Sequence, residues 1–175
     1  ENKEWLLQAK TNNLLAYLEI KKGEYESAKH FIAEAETCFQ SGPKQRQDST
    51  ILGDTYFNRA DVFHNEEKSD SANYYIKKTS LAYQAAGDLE KEAILGLNRA
   101  IIAPEDQNLS PLFEEVIRQF HSLENQVLEK NTRIRYANHL LRQASYAKDL
   151  NPNDSVADRL LSEVKAQLLK GRSSP

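Results

Sequence analysis

The segment Tyr56-Phe57-Asn58-Arg59-Ala60 holds the clearest clue to the fold, because its last three residues recur as Asn98-Arg99-Ala100. Alanines repeat at a similar interval, in the pairs Ala16/Ala60 and Ala28/Ala72. A fixed period of about 40 to 44 residues is typical of arrays of helical units. Such units bury a continuous core only by stacking, and the stack leaves an extended concave groove. The sequence therefore predicts a helical-repeat protein whose groove holds a partner.

Length and composition set the class of the chain. Its 175 residues, of which 39% are hydrophobic and 28% charged, suit one globular domain with a core of moderate size. The single cysteine, Cys38, excludes an intramolecular disulfide, which fits a cytoplasmic protein, with a nuclear location as the alternative. No membrane association is predicted, because no apolar run approaches the roughly 18 residues that span a bilayer. Since the chain lacks methionine even at its first position, we expect a piece of a longer protein or a processed product.

The spacing of apolar residues predicts an all-α fold of about four antiparallel helix hairpins, because strict alternation of apolar and polar residues is nearly absent. Gly23 and Gly87 stand where a left-handed residue would end a helix. Pro104 must end another helix, and Ser110-Pro111 favours a new start. The expected single domain covers residues 1–170, with units at about 3–40, 48–87, 88–129 and 132–170. Residues 171–175 are expected to form a disordered tail.

Small and large residues in the first hairpin follow the pattern of the tetratricopeptide repeat. The matching positions are Leu15, Ala16, Gly23, Tyr25, Ala28 and Ala35. The chain therefore resembles the tetratricopeptide-repeat superfamily, and this resemblance implies a right-handed superhelical array of divergent repeats. The second unit departs from the pattern, since Glu67 stands where the glycine between the two helices belongs.

A narrower resemblance rests on Asn13-Leu14-Leu15-Ala16-Tyr17, followed by Lys22-Gly23 and Glu34-Ala35-Glu36. These segments are similar to an early repeat of the interferon-induced proteins with tetratricopeptide repeats, over roughly the first half of the chain. Members of that family are much longer and many bind viral RNA in a basic channel. This chain is shorter and has a formal net charge of -3. The matching residues are mostly packing positions, so the resemblance assigns no RNA-contacting residue.

Residues on the first helix of each hairpin are the candidates for the concave face of such an array. In the usual geometry of the superfamily that the chain resembles, these groove residues are Lys10, Asn13, Tyr17, Phe57 and Asp61. Asn58 matches one element of a clamp with which some repeat proteins hold a terminal carboxylate. The lysine and arginine that would neutralise the carboxylate are not at the corresponding positions, so the clamp is incomplete. The alternative is that Asn58 bonds to a neighbouring helix.

The densest basic segment runs from Lys130 to Arg142 and contains no acidic residue. Arg135, His139 and Arg142 are spaced at i, i+4 and i+7, so one helix face would present all three, with Tyr136 adjacent for stacking. This face is the best candidate for binding nucleic acid or phosphate. The alternative is a solvated face whose charges pair with acidic residues of neighbouring helices.

No arrangement of residues predicts catalysis, a cofactor or a metal ion. The histidines show no metal-ligand spacing, and adjacent pairs such as Glu66-Glu67 and Glu114-Glu115 point about 100° apart on a helix. We therefore expect a non-catalytic scaffold or adaptor that holds a protein or peptide partner in its concave groove. The alternatives are an RNA-binding innate-immune protein of the interferon-induced type and a regulatory domain that senses a peptide.

Overall fold

The computed structural model describes residues 4–41, 49–102, 108–151 and 155–172, and the chain is helical in all four ranges. Eight helices and no strand occur in this part of the chain, which confirms the all-α prediction. They are α1 (Glu4–Lys22), α2 (Tyr25–Ser41), α3 (Ser49–Asn65), α4 (Ser69–Ala86), α5 (Leu89–Ile102), α6 (Ser110–Ser122), α7 (Gln126–Leu150) and α8 (Ser155–Arg172). No helix within these ranges combines the length and hydropathy that a membrane span requires.

The chain divides into two compact units, Glu1–Asp88 and Leu89–Pro175. Within each unit consecutive helices pack in pairs, α1 with α2 and α3 with α4 in the first, and α5 with α6 and α7 with α8 in the second. In the first unit α3 also packs on α1 and α2, and in the second α6 also packs on α7. Helix pairs are therefore the building blocks of both units. The single helical-repeat domain over residues 1–170 stays a prediction.

Small residues lie where the helices of the first unit meet. Ala16 of α1, Ala28 of α2 and Ala60 of α3 are all buried. A methyl side chain lets two helix backbones approach closely, and larger residues then fill the spaces on either side. One core cluster of this unit joins Ala16 and Ala28 to Ile20, Ile32 and Val62.

The second unit has a larger core with three buried aromatic rings, Phe113, Phe120 and Tyr136. Phe113 and Tyr136 stack with their ring centroids 5.1 Å apart and their planes 14° apart. This pair joins α6 to α7, because each ring comes from one of the two helices. The same cluster includes three small residues, Ala93, Ala100 and Ala137.

A residue in the left-handed conformation follows one or two positions after the end of four helices, α1, α3, α4 and α6. Gly23 has a φ of 82° and Gly87 a φ of 73°, as the sequence predicted. Glu67 and Glu124 adopt similar values, 60° and 56°. Side chains other than glycine are uncommon there, because Cβ comes too close to a carbonyl oxygen. Glu67 therefore takes the same backbone conformation as Gly23 without the freedom that glycine would give.

The predicted boundary between the units 88–129 and 132–170 is wrong by several residues, because α7 already begins at Gln126. Glu124 turns the chain in its left-handed conformation, and Asn125 then caps the new helix. The Asn125 side chain accepts a hydrogen bond at 3.1 Å from the backbone N–H three residues later. A capped helix start of this kind stabilises one end of α7 by about 1 kcal/mol.

The C-terminal helix extends further than the sequence predicted. The disordered tail was predicted to start too early, because α8 continues through Gly171 to Arg172. Pro104, residues 42–47 between the first two predicted units, and residues 173–175 of the predicted tail lie outside the described residues.

Candidate functional site

The second unit contains an open cleft of about 1010 Å³, which we call the α6–α7–α8 cleft. Residues at the start of α6, along the second half of α7 and in the first half of α8 line it. All of these elements belong to the same compact unit. The cleft is therefore a property of this unit alone.

Unequal helix lengths explain why the cleft exists. Helix α6 has 13 residues and α7 has 25, so their lengths are about 20 and 37 Å at 1.5 Å per residue. A short turn joins them, and α6 therefore runs back along α7 only to about its middle. Pro111 stands in the first turn of α6, where its missing N–H costs no hydrogen bond. The second half of α7 consequently lacks α6 as a neighbour on that side.

The floor of the cleft is largely apolar. Tyr136 and Leu140 are buried and belong to the core of the unit, and Leu160 of α8 packs against the same core. Burial raises the pKa of the Tyr136 phenol, and the nearby carboxylates of Glu114 and Glu163 raise it further, against a hydrogen bond with Ser110. The phenol therefore stays protonated and places a polar group beside the apolar side chains of the floor.

The rim of the cleft carries both signs of charge. Arg142 of α7 and Arg159 of α8 supply positive groups, and Glu114 of α6 and Glu163 of α8 supply negative ones. Tyr146 also lines the cleft and is 68% exposed, so most of its ring faces solvent. An exposed aromatic ring beside two arginines is the composition that protein-binding hot spots favour.

A network of hydrogen bonds ties the rim to the interior of the unit. His121 Nδ1 lies 3.1 Å from Glu129 Oε2, and Arg133 donates from Nε and Nη2 to Glu129 Oε1 at 3.0 and 2.8 Å. Arg133 Nη1 donates to Gln167 Oε1 at 2.9 Å, and Gln167 Nε2 donates to Glu163 Oε1 at 2.7 Å. Because Glu163 lines the cleft, the network fixes the position of one carboxylate on the rim.

Glu129 is the buried centre of this network. Burial by itself would raise the pKa of its carboxyl, but the hydrogen bonds from Arg133 and His121 outweigh burial and hold the pKa below its ordinary value of 4.5. Glu129 is therefore ionised at neutral pH. Its charge is compensated mainly by the Arg133 guanidinium, which is itself largely buried.

The predicted basic face on α7 is divided between the surface and the core. Arg135 and Arg142 are exposed, whereas His139 is buried and its ring lies 5.6 Å from that of Phe113. His139 and Arg142 line the cleft, and Arg135 is not part of the lining. Tyr136 is buried against Phe113, so the expectation that it could stack on a ligand is wrong. The i, i+4, i+7 spacing predicts that Arg135, His139 and Arg142 share one helix face, but it does not predict which of them are buried.

Asn13, a predicted groove residue, and Asn58, the candidate for a carboxylate clamp, have a packing role instead. Asn13 Nδ2 donates to the carbonyl of Ile51 at 3.0 Å, and Asn58 Nδ2 donates to the carbonyl of Asn13 at 2.9 Å. Both side chains are buried. The two asparagines thus bond α1 to α3, which agrees with the alternative interpretation of Asn58 and removes both from a partner's reach.

The other predicted groove residues lie at or near the surface of the first unit. Lys21 lies between Tyr17 and Asp61, with Nζ 5.1 Å from the centroid of the Tyr17 ring and 3.8 Å from Asp61 Oδ2. The structure therefore brings Tyr17 and Asp61 together through Lys21, which the sequence analysis had not singled out. Lys10 is exposed and Phe57 is half-buried.

The sequence analysis missed most residues of the cleft. Those on α8 are Val156, Arg159, Leu160, Ser162 and Glu163. Four of them follow the spacing i, i+3, i+4 and i+7, which indicates one helix face. Glu114 entered the sequence analysis only as one of two adjacent carboxylates that do not face each other, and the structure shows that it lines the cleft.

Within the described residues, no group of three or more histidine, cysteine, aspartate or glutamate side chains could hold a metal ion. Comparisons with protein-family models, with curated proteins and with solved structures found no match.

Proposed function

We propose that this chain is a non-catalytic helical-repeat module, tetratricopeptide-like in architecture, that holds a peptide segment of a protein partner in the α6–α7–α8 cleft. The observation that carries the proposal is the cleft itself, with its apolar floor, its exposed tyrosine and a rim of mixed charge.

Two features of the first unit support the repeat architecture. Gly23 and Glu67 have the same left-handed conformation and stand between the helices of the first and second hairpins. Ala16 and Ala60, which are separated by the same interval as this pair, are both buried. Equivalent turns and equivalent contacts at one period are what a repeated helix hairpin requires.

The size and chemistry of the cleft favour a peptide over a small molecule. Its volume is at the upper end of the range of about 300 to 1,000 Å³ for small-molecule pockets, and it is open to solvent. A peptide can offer apolar side chains to Leu140 and Leu160 and charges of both signs to the rim. An amphipathic segment laid along a hydrophobic groove is a recurrent way in which helical proteins recognise partners.

The same rim disfavours RNA as the occupant. Phosphate groups would meet Glu114 and Glu163 as well as Arg142 and Arg159, so the net electrostatic attraction on which RNA binding depends is weak. The ring of Tyr136, which sequence analysis offered for base stacking, is buried.

A selection from a display library of random peptides on the purified chain tests the proposal. Fluorescence polarisation of a selected, labelled peptide then measures its affinity for variants. Tyr146→Ala should weaken binding about 30-fold, as expected for loss of an aromatic hot-spot residue worth about 2 kcal/mol. Tyr17→Ala is the matched control, because Tyr17 is also an exposed tyrosine, at 44%, but lies in the first unit.

Two arginines of α7 provide a second matched pair. Arg142→Glu should weaken the selected peptide about tenfold, because Arg142 lines the cleft. Arg135→Glu makes the same change of charge on the same helix at an exposed position outside the lining, so it should leave affinity unchanged. Equal effects of the two variants would show that the peptide does not occupy the cleft.

Binding of short single-stranded and double-stranded RNA, measured at two salt concentrations, tests the alternative that the chain binds RNA. We expect no tight binding. Tight binding that weakens steeply with salt and is lost in Arg135→Glu would replace the peptide proposal with the RNA one.

A further inference from the structure

Three tyrosines of the first unit surround the ammonium group of Lys78. Lys78 Nζ lies 4.3 Å from the ring centroid of Tyr56, 5.4 Å from that of Tyr74 and 5.5 Å from that of Tyr75. All three distances are within the roughly 6 Å over which a ring face attracts a cation. We call these three rings the tyrosine cage.

The rings of the cage meet at steep angles, as walls around a cation must. Tyr74 and Tyr75 have centroids 5.1 Å apart and planes inclined at 86°. Tyr56 comes from α3 and lies 6.0 Å from Tyr75 at an angle of 47°. Because the walls come from two helices, packing of α3 on α4 sets the geometry of the cage.

Among the described residues, the groups that contact the Lys78 ammonium are tyrosine side chains rather than carboxylates. Burial disfavours the charged form of Lys78, yet its pKa is raised, and the groups that raise it are Tyr56, Tyr74 and Tyr75. Elsewhere in the first unit lysines pair with carboxylates, as Lys22 does with Glu19 at 2.7 Å. Lys78 also forms a hydrogen bond with Tyr56, but attraction to a ring face requires no N–H group. The same faces therefore suit an ammonium group whose hydrogens are replaced by methyl groups, since such a group has no N–H to donate.

We propose that the tyrosine cage is a binding site for a methylated ammonium group, and that Lys78 is its built-in competitor. The Lys78 side chain occupies the cage in this structure, and Tyr74 is 57% exposed, so one wall faces solvent. An external ligand enters when the flexible lysine side chain swings out. The proposal concerns the first unit and is independent of the peptide cleft in the second.

Titration of the whole chain with tetramethylammonium tests the proposal, with the tyrosine ring resonances followed by NMR. Lys78→Ala removes the competitor and should bind tetramethylammonium at least about tenfold more tightly than the unchanged chain, the factor that corresponds to one cation–ring interaction. Adding Tyr56→Ala to this variant should abolish the gain. Lys77→Ala is the matched control, because Lys77 is the exposed neighbour on the same helix and has no place in the cage.

Circular dichroism checks that each variant is folded, and Lys78→Gln replaces Lys78→Ala should the latter not fold. Equal affinity of the lysine variants and the unchanged chain, or a gain that survives Tyr56→Ala, would overturn the proposal and leave the cage as packing. Choline and a peptide containing trimethyl-lysine, titrated into the same variant, distinguish a free small molecule from a modified protein as the source of the group.

Discussion

Replacing Gly53 with alanine should destabilise the first unit, although alanine is the better helix former. A Cβ at this position would lie 2.4 Å from Cε1 and 2.5 Å from Cδ1 of Tyr83. Ordinary carbon contacts are about 3.5 to 4.0 Å, so the overlap is more than about 1 Å. The ring has little room to retreat, because Tyr83 is buried and its hydroxyl donates to Asp54 Oδ1 at 2.9 Å.

The expected change in the free energy of unfolding combines two costs and one gain. Overpacking costs about 1 to 3 kcal/mol, and a displaced Tyr83 hydroxyl loses a hydrogen bond worth about 1 kcal/mol. Alanine is more favourable than glycine in a helix by about 1 kcal/mol, which offsets part of these costs. We therefore expect Gly53→Ala to lower the free energy of unfolding by about 2 kcal/mol.

Urea denaturation followed by far-ultraviolet circular dichroism measures the change. Gly96→Ala should cost less, because its Cβ would meet a single methyl group, Val116 Cγ2, at 2.9 Å. Gly171→Ala has only Arg133 Cδ nearby, at an ordinary 3.9 Å, so it should be neutral or slightly stabilising. If Gly53→Ala proves as stable as Gly171→Ala, the close approach of α3 and α4 at Tyr83 is wrong.

Three further changes probe other features of the fold. Glu67→Gly should raise the free energy of unfolding by about 0.5 to 1 kcal/mol in the same urea assay, because glycine relieves the left-handed backbone. Asn58→Ala should lower it by about 1 to 3 kcal/mol, since the buried hydrogen bond from α3 to the carbonyl of Asn13 in α1 is lost, and hydrogen exchange should rise in α1. The folded-state pKa of Glu129 is depressed, so the stability that this carboxylate contributes is present above pH 4.5 and is lost as the pH falls through the folded value. Glu129→Gln should therefore destabilise the chain at neutral pH, where Arg133 loses its charged partner, and should flatten the acid limb of a stability–pH profile.

Local signals predicted the helices well because their causes are local. Gly23 and Gly87 end helices through their own backbone freedom, and the spacing of apolar residues predicted that the chain is helical. Glu67 and Glu124 carry no such signal, since a glutamate adopts the left-handed conformation only when the surrounding packing imposes it.

The candidate site was harder to predict because it depends on which helices become neighbours. Asn13 was expected in a groove and Asn58 in a carboxylate clamp, but the side-chain amide of each donates to a carbonyl of another helix. His139 and Arg142 belong to the cleft only because α8 packs on α7 beside them. The sequence separation between residues of α7 and α8 does not predict how the two helices pack.

The position at which α6 begins determines how much of α7 is left uncovered in the second unit, and therefore the size of the cleft. Each additional helical turn ahead of Leu109 would cover about 5.4 Å more of α7 and leave the core residues from Leu109 to Phe120 in place. Insertions at that place would therefore change the size of the cleft while the residues of the core stay the same. The length of one helix can thus alter the cleft before any residue of the core is exchanged.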